Sequence, residues 1–178
     1  MAQVIALHRV EAPDHELRAA VRAELLRLIG GAELRVDEHG RPWAPGVSFN
    51  VSHSGGLGLI AIAEGERRIG VDVERWRAQR DFRALAERFF HPEEAAAIGE
   101  NHAAFLRCWT RKEAVVKALG VGLAHPLDRF VVDFDATGPR PVRGVPGIAV
   151  MGLQVPGDYV AALAGDLPLR FAWANERF

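Results

Sequence analysis

The sequence predicts an α+β protein whose helices are segregated from largely antiparallel sheets. Three observations lead there. Strand-like runs and helical periodicities follow the order strand, helix, strands, helices, strands. Gly and Pro punctuate the strand-rich regions (18 and 10 residues of 178). Hydrophobic residues make up 49% and charged residues 25%, ordinary globular values that exclude general disorder and collagen-like repeats.

The elements follow in order. Residues Val4 to Val10 are aliphatic and β-branched, a strand. Pro13-Asp14 opens a helix in which Leu17, Val21, Leu25 and Leu28 recur at helical spacing, and Gly30-Gly31 stops it. Its other face carries Arg18, Arg22 and Arg27. Leu34 to Val36 forms a short strand before a turn-rich stretch from Glu38 to Gly46. Strands follow at Phe49 to Ser52 and Leu57 to Ala63, joined by a His53-Ser54-Gly55-Gly56 loop, and then at Ile69 to Glu74. Helical segments span Phe82 to Phe90 and Glu93 to Ile98, the latter opened by Pro92. Asn101 caps a longer helix, Ala103 to Leu119, which Gly120 closes. The remaining strands are Phe130 to Phe134, Ile148 to Val155, Tyr159 to Ala164 and Leu169 to Trp173. Residues 59–65 and 160–165 echo one another, which reads either as an internal duplication or as coincidence between aliphatic strands.

Global properties narrow the function. Net charge is −1 and pI about 6.7, so charge gives no argument for nucleic acid or an anionic membrane. No run approaches the ~18 apolar residues of a membrane span. The single Cys108 excludes an intrachain disulfide and a cysteine-based zinc site. With no basic region leading into a long apolar one at the start, the expected compartment is the cytoplasm.

Three stretches carry candidate chemistry. In Phe49-Asn50-Val51-Ser52-His53-Ser54-Gly55-Gly56, small residues permit close backbone approach, and Ser52, Ser54 and His53 can donate to phosphate oxygens. The alternative is a polar hairpin with a surface histidine. In Ile69-Gly70-Val71-Asp72-Val73-Glu74, strand alternation places Asp72 and Glu74 on one side and Val71 and Val73 on the other. Two carboxylates about 7 Å apart repel unless a cation lies between them, and hard oxygen ligands suit Mg²⁺ or Mn²⁺. The alternative is an ordinary strand with two solvated acids. In Trp109-Thr110-Arg111-Lys112-Glu113-Ala114-Val115-Val116-Lys117, residues Trp109, Glu113 and Lys117 share a helix face. That face is either a surface Glu–Lys pair or the completion of a metal site with a lysine reaching the same anion. Taken together, a phosphate loop, three carboxylates and a lysine are the equipment of phosphoryl-group chemistry. A nucleotide hydrolase is disfavoured, because no Gly-rich loop followed by Lys-Ser/Thr is present.

With Gly40-Arg41-Pro42, Arg88-Phe89-Phe90 and Glu94 added, these motifs resemble the 4′-phosphopantetheinyl transferases, of the monomeric Sfp-like and HetI-like type. The resemblance runs from about Gly40 to Leu127. It implies a pseudo-twofold pair of similar α+β halves, residues 1–66 on the coenzyme A side and 67–178 on the metal and carrier side, with the ligand in the cleft between them. It implies Mg²⁺-dependent transfer (Mn²⁺ being the other suitable ion) of the 4′-phosphopantetheine arm of coenzyme A to a serine of an apo acyl, peptidyl or polyketide carrier protein. The products would be holo-carrier and adenosine 3′,5′-bisphosphate, in fatty acid, polyketide or nonribosomal peptide biosynthesis. Asp72, Glu74 and Glu113 would be the metal ligands, and Glu113, Lys117 and Asp72 the catalytic set. Ser52 and His53, with Arg18 and Arg22, would hold the 3′-phosphate. Gly40, Arg41 and Pro42 would line the adenine pocket, Lys117 would contact the pyrophosphate, and Lys112 would bind phosphate or carrier. Phe82, Phe89, Phe90, Arg83 and Arg88 are the expected carrier surface. The competing reading is a relative that binds coenzyme A or carrier without turnover. The chain is short for the type, chiefly in the half that supplies the 3′-phosphate contacts.

Overall fold

The computed structural model describes residues 4–37, 40–77, 81–121 and 125–174. Met1 to Gln3, ahead of the first expected strand, and Glu38 and His39 of the expected turn lie outside the described residues.

Two four-stranded sheets share one construction. The first contains β1 (Ile5–Glu11), β4 (Val47–Ser54), β5 (Leu57–Glu64) and β10 (Phe171–Trp173), in the order β10-β1-β5-β4. The second contains β6 (Ile69–Arg75), β7 (Arg140–Pro141), β8 (Ile148–Leu153) and β9 (Tyr159–Asp166), in the order β6-β9-β8-β7. In each, a strand leads through helix to an antiparallel hairpin whose second strand returns beside the first: β1, α1 (Asp14–Leu28), β4, β5, and then β6, α4 (His102–Leu119), β8, β9. The echo between residues 59–65 and 160–165 falls on β5 and β9, the corresponding strands. Both are central and buried on two faces, which fills them with aliphatic residues.

Alternation along these strands builds three apolar layers. Leu7, Leu57, Leu59 and Ala61 of the first sheet meet Val71, Val73, Ala161 and Leu163 of the second in one shared core. The opposite faces pack outward: Ile60 against Leu17, Val21 and Leu25 of α1, and Ala162, Ala164 and Ile148 against α4. The order is therefore helix, sheet, sheet, helix. β10 comes from the C-terminal segment but pairs in parallel with β1. A small hairpin, β2 (Arg35–Val36) with β3 (Pro42–Trp43), stands apart.

The helices begin and end as their residues dictate. Asn101 Oδ1 accepts from the Ala104 N–H and caps α4, and Gly120 closes it at φ 70°. The shorter α2 (Phe82–Phe89) leads to α3 (Pro92–Ile98), which His91 and Glu94 open with a reciprocal capping box.

Four elements differ from expectation, the first being β3, which forms inside the stretch read as turns and pairs with β2. β4 continues through His53 and Ser54, so the expected loop shrinks to a Gly55-Gly56 turn with Gly55 at φ 59°. The short strand β7 was not foreseen in the sequence. Phe130 to Phe134 is not a strand: it makes a single bridge, Val131 to Arg143. Beyond that bridge, its Phe130 carbonyl and Val132 N–H are met by side chains. Lys112 donates to the Leu127 and Phe130 carbonyls, and Glu94 accepts from the Val132 N–H.

Candidate active site

The site forms where β6 runs beneath α4. Gly70 brings them together. A Cβ there would lie 1.9 Å from the Ala114 carbonyl oxygen and 2.5 Å from the Ala118 nitrogen, so only glycine permits this approach. The consequence is that Glu113 and Lys117 of α4 stand over Asp72 and Glu74 of β6. Asp72 and Glu74 take the α4-facing side of the strand, and Val71 and Val73 the core side, as strand alternation predicts.

Lys117 Nζ donates to Asp72 Oδ1 at 2.7 Å, to the Val71 carbonyl at 3.1 Å and to Ser52 Oγ at 3.1 Å. Asp72 is 4% exposed, and its Oδ2 is buried without a hydrogen-bond partner among the described residues. The same holds for Oε1 of Glu113. Burial, then the charge of Asp72, pushes the carboxyl groups of Glu113 and Glu74 above their ordinary range, against the pull of Lys117. A buried carboxylate oxygen left unpaired is costly. Asp72 Oδ2 and Glu113 Oε1 are two such oxygens, on carboxyl groups whose charges oppose one another.

The donor set fits Mg²⁺ or Mn²⁺: three hard carboxylates, no sulfur and no imidazole. Among the described residues, no group of three or more Asp, Glu, His or Cys side chains is gathered closely enough to clasp an ion as it stands.

A cleft of about 620 Å³ adjoins Lys117. Arg41, Pro42, Trp43, Arg67 and Arg68 line it together with Lys117. Arg41 bonds Asp37 through its Nε at 3.2 Å, and its guanidinium lies over Gly120 at the C-terminus of α4, where a cation complements the helix dipole. Arg68 is paired with Asp166 at 2.6 Å. On the other side of Glu74 lies a hollow of about 390 Å³, lined by Arg75, Arg77, Leu85, Phe105 and Trp109. Trp109 also packs against Phe90 and Phe105.

Some expected positions fall elsewhere. Lys112 is not a surface phosphate or carrier contact. It is fully buried, bonded to Glu94 Oε2 at 2.7 Å and to the Leu127 and Phe130 carbonyls, with its ammonium over the Phe130 ring. It stands one residue from Glu113, about 100° around the helix, and so faces the core. The Ser52 hydroxyl is engaged within the protein. Ser52 is 8% exposed and bonded to the Val73 N–H, Asp72 and Lys117. His53 is exposed on the α1 side of the first sheet, opposite Gly58, over which Val21 and Leu17 close. Arg18 and Arg22 are exposed on α1, and none of these three lines the 620 Å³ cleft. Gly40 is exposed in the turn before Arg41, at φ 78°. Of the expected carrier surface, Phe90 is core at 3% exposure whereas Phe89 is 39% exposed beneath Arg88, and Arg83 pairs with Glu87 and Glu100.

Sequence reasoning missed Trp43, Arg67 and Arg68 as cleft residues and Glu94 as the partner of Lys112. No motif signals the first three. Glu94 was visible as Glu three residues after His91, a capping-box spacing.

The chain matches the family description "4'-phosphopantetheinyl transferase superfamily" over residues 68–164, the stretch from β6 through α4 to β9. It is 32% identical over 172 residues to the 4'-phosphopantetheinyl transferase HetI of Nostoc sp., covering 85% of this chain and 72% of HetI. The chain belongs to the 4′-phosphopantetheinyl transferase superfamily. Two further relatives share it over shorter spans. The transferase gsp of Aneurinibacillus migulanus is 33% identical over 109 residues, 58% of this chain and 44% of that protein. AcpT of Salmonella typhimurium is 41% identical over 97 residues, 49% of this chain and 50% of AcpT. The chain thus spans about half the length of these two. The HetI-like resemblance stands, and with it the enzyme class: a phosphopantetheinyl transferase takes coenzyme A as substrate and modifies carrier proteins.

Proposed function

We propose that this chain transfers the 4′-phosphopantetheine arm of coenzyme A to a carrier serine at the Asp72–Glu74–Glu113–Lys117 cluster. The observation that carries this is the pair of unpartnered, buried oxygens, Asp72 Oδ2 and Glu113 Oε1, beside a lysine that faces an open basic cleft. Asp72, Glu74 and Glu113 would hold Mg²⁺, which when bound would polarise the pyrophosphate and stabilise the departing bisphosphate.

The chain's own residues do the rest. Arg41, Pro42 and Trp43 line the cleft for the nucleotide end, with Arg67 as a further basic group. Lys117 neutralises pyrophosphate charge and exchanges Asp72 for a phosphate oxygen as its partner. The carrier hydroxyl attacks the phosphorus bearing the pantetheine arm. The new P–O bond forms as the bond to the bisphosphate breaks, and the serine proton passes to Glu113. His53, Arg18 and Arg22 form a separate exposed basic face on the α1 side, suited to a phosphate that projects from the cleft. The hollow beside Glu74, apolar with two arginines, suits the arm and an acidic carrier surface.

The reading extends to the halves 1–66 and 67–178 as ligand side and metal side, supported by the repeated topology. It extends to a monomer, because the cleft lies within one chain. It extends to the cytoplasm, supported by a buried free Cys108 and by no helix among the described residues being long and apolar enough to cross a membrane.

Intact-mass spectrometry tests the proposal. Apo acyl and apo peptidyl carrier proteins are incubated with the protein, coenzyme A and Mg²⁺, with and without EDTA. A gain of one phosphopantetheine mass, abolished by EDTA and by Asp72→Ala, is expected. Coenzyme A binding with no gain on any carrier would overturn it in favour of a binding-only relative.

A further inference from the structure

The edges of the two sheets meet without backbone pairing. β4 ends the first sheet and β6 the second. On the side away from β9, β6 presents the N–H groups of Val71, Val73 and Arg75. Each is met by a β4 side chain 21 residues earlier. Asn50 Oδ1 accepts from Val71 at 2.9 Å, Ser52 Oγ from Val73 at 3.3 Å, and Ser54 Oγ from Arg75 at 3.1 Å. Three polar residues at period two thus stitch the seam.

The two serines do more than close an edge. A hydroxyl has one proton to donate and two lone pairs. In Ser52 the Val73 N–H and the Lys117 ammonium take the lone pairs, and the proton goes to Asp72 Oδ1 at 3.1 Å. In Ser54 the Arg75 N–H takes one lone pair, and the proton goes to Glu74 Oε2 at 3.2 Å. The same offset of 20 residues relates both pairs. Asp72 Oδ1 is thereby engaged from two sides, which leaves Oδ2 as its unpartnered oxygen.

We infer that Ser52 and Ser54 are positioning residues: each is pinned by a backbone N–H of β6 and fixes one oxygen of Asp72 or Glu74, leaving the other oxygen to ligate the cation. Resting on the function proposed above, this replaces the expected role of Ser52 as a phosphate donor. It also means that the separation of the two sheet edges sets the orientation of the carboxylates.

The test uses the full chain with Ser54→Ala, Ser54→Thr and Ser52→Ala. Mn²⁺ binding in the presence of coenzyme A is read from the electron paramagnetic resonance of the free ion. Coenzyme A binding in EDTA is read by calorimetry, and kcat and KM by carrier loading. Loss of a partner that orients a metal ligand weakens metal affinity about 10-fold or more. Ser54→Ala should therefore weaken Mn²⁺ binding about 10-fold and lower kcat at fixed Mn²⁺. Coenzyme A affinity in EDTA should stay within about twofold. Ser54→Thr, which keeps the hydroxyl, should restore both, and Ser52→Ala should show the larger loss. If Ser52→Ala fails to fold, the Ser54 pair decides alone. Unchanged Mn²⁺ binding in Ser54→Ala, no rescue by threonine, or a loss of coenzyme A affinity in EDTA instead would overturn the inference. A wild-type protein that binds no Mn²⁺ even with coenzyme A would overturn the metal reading itself, a result distinct from equal Mn²⁺ binding by wild type and variant.

Discussion

Gly70→Ala places a methyl group on one hydrogen bond of α4. The new Cβ would stand 1.9 Å from the Ala114 carbonyl oxygen and 2.5 Å from the Ala118 nitrogen, both backbone atoms of the same helical turn. Ordinary contact lies near 3.5 Å, so helix and strand must part by about 1.6 Å. No side chain can rotate away to absorb this. Overpacking of that kind costs about 1–3 kcal/mol, and the rigid neighbours place this case near 3. For a chain of this length that is a fall in Tm of roughly 6–12 °C. The functional loss is larger than the stability loss suggests. Glu113 and Lys117 ride on α4, so they retreat from Asp72 by a similar distance, and a misplacement of ~1 Å can cost about 100-fold in rate. Gly138→Ala is the control, because its Cβ would meet nothing within 4 Å. Differential scanning calorimetry and carrier loading at saturating Mg²⁺ measure both effects. If Gly70→Ala melted with wild type and kept its turnover, the close approach would not be what assembles the site.

Three further outcomes follow from the geometry. Lys112→Met leaves the Glu94 carboxylate buried alone, so it should lose about 3–5 kcal/mol in urea unfolding. Lys112→Met combined with Glu94→Gln should lose less than the sum, and a stable Lys112→Met with weakened coenzyme A binding would refute the structural role. Glu113→Gln removes a desolvated charge next to Asp72, so the protein in EDTA should be about 1 kcal/mol more stable while turnover falls about 100-fold or more. A destabilised Glu113→Gln would refute the assignment of repulsion at this site. His8 is buried near Arg27, and burial holds its imidazole below the ordinary value of 6.5, against the pull of Glu24. Its neutral form is the one the fold accommodates, so its contribution is full above 6.5 and is lost as pH falls below its folded value. Wild type should lose stability more steeply than His8→Gln as pH drops from 6.5, and parallel urea midpoints would refute this.

The sequence carried what is local and periodic. Asn101 and Gly120 bound α4 as capping rules require, and the alternation of Val71-Asp72-Val73-Glu74 placed two carboxylates on one side. The i, i+4 spacing of Glu113 and Lys117 placed them over the same strand. What it concealed depends on contacts across the chain. Lys112 looked like a surface cation because nothing local announces Glu94 as its partner 18 residues earlier. Phe130 to Phe134 has strand composition but is held by side chains of α3 and α4. Ser52 and Ser54 sit in a motif whose Ser, His and Gly content suggests a phosphate cradle. The period-two pattern of Asn50, Ser52 and Ser54 also fits a strand edge, and only the neighbouring edge of β6 decides between them.

The parallel pairing of β10 with β1 bears on how the molecule is made. A ribosome delivers β1, α1, β4 and β5 first, with most of the N-terminal core in hand. One border of β1 nevertheless stays open until residues 171–173 emerge. An open strand border invites pairing with other chains. Maturation of the first sheet thus waits for residues 171–173, which follow the whole second sheet, and folding of the two halves is linked in time as well as in space. Ribosome-arrested fragments ending before Phe171 are expected to be protease-sensitive at β1, with protection gained once Trp173 has cleared the exit tunnel.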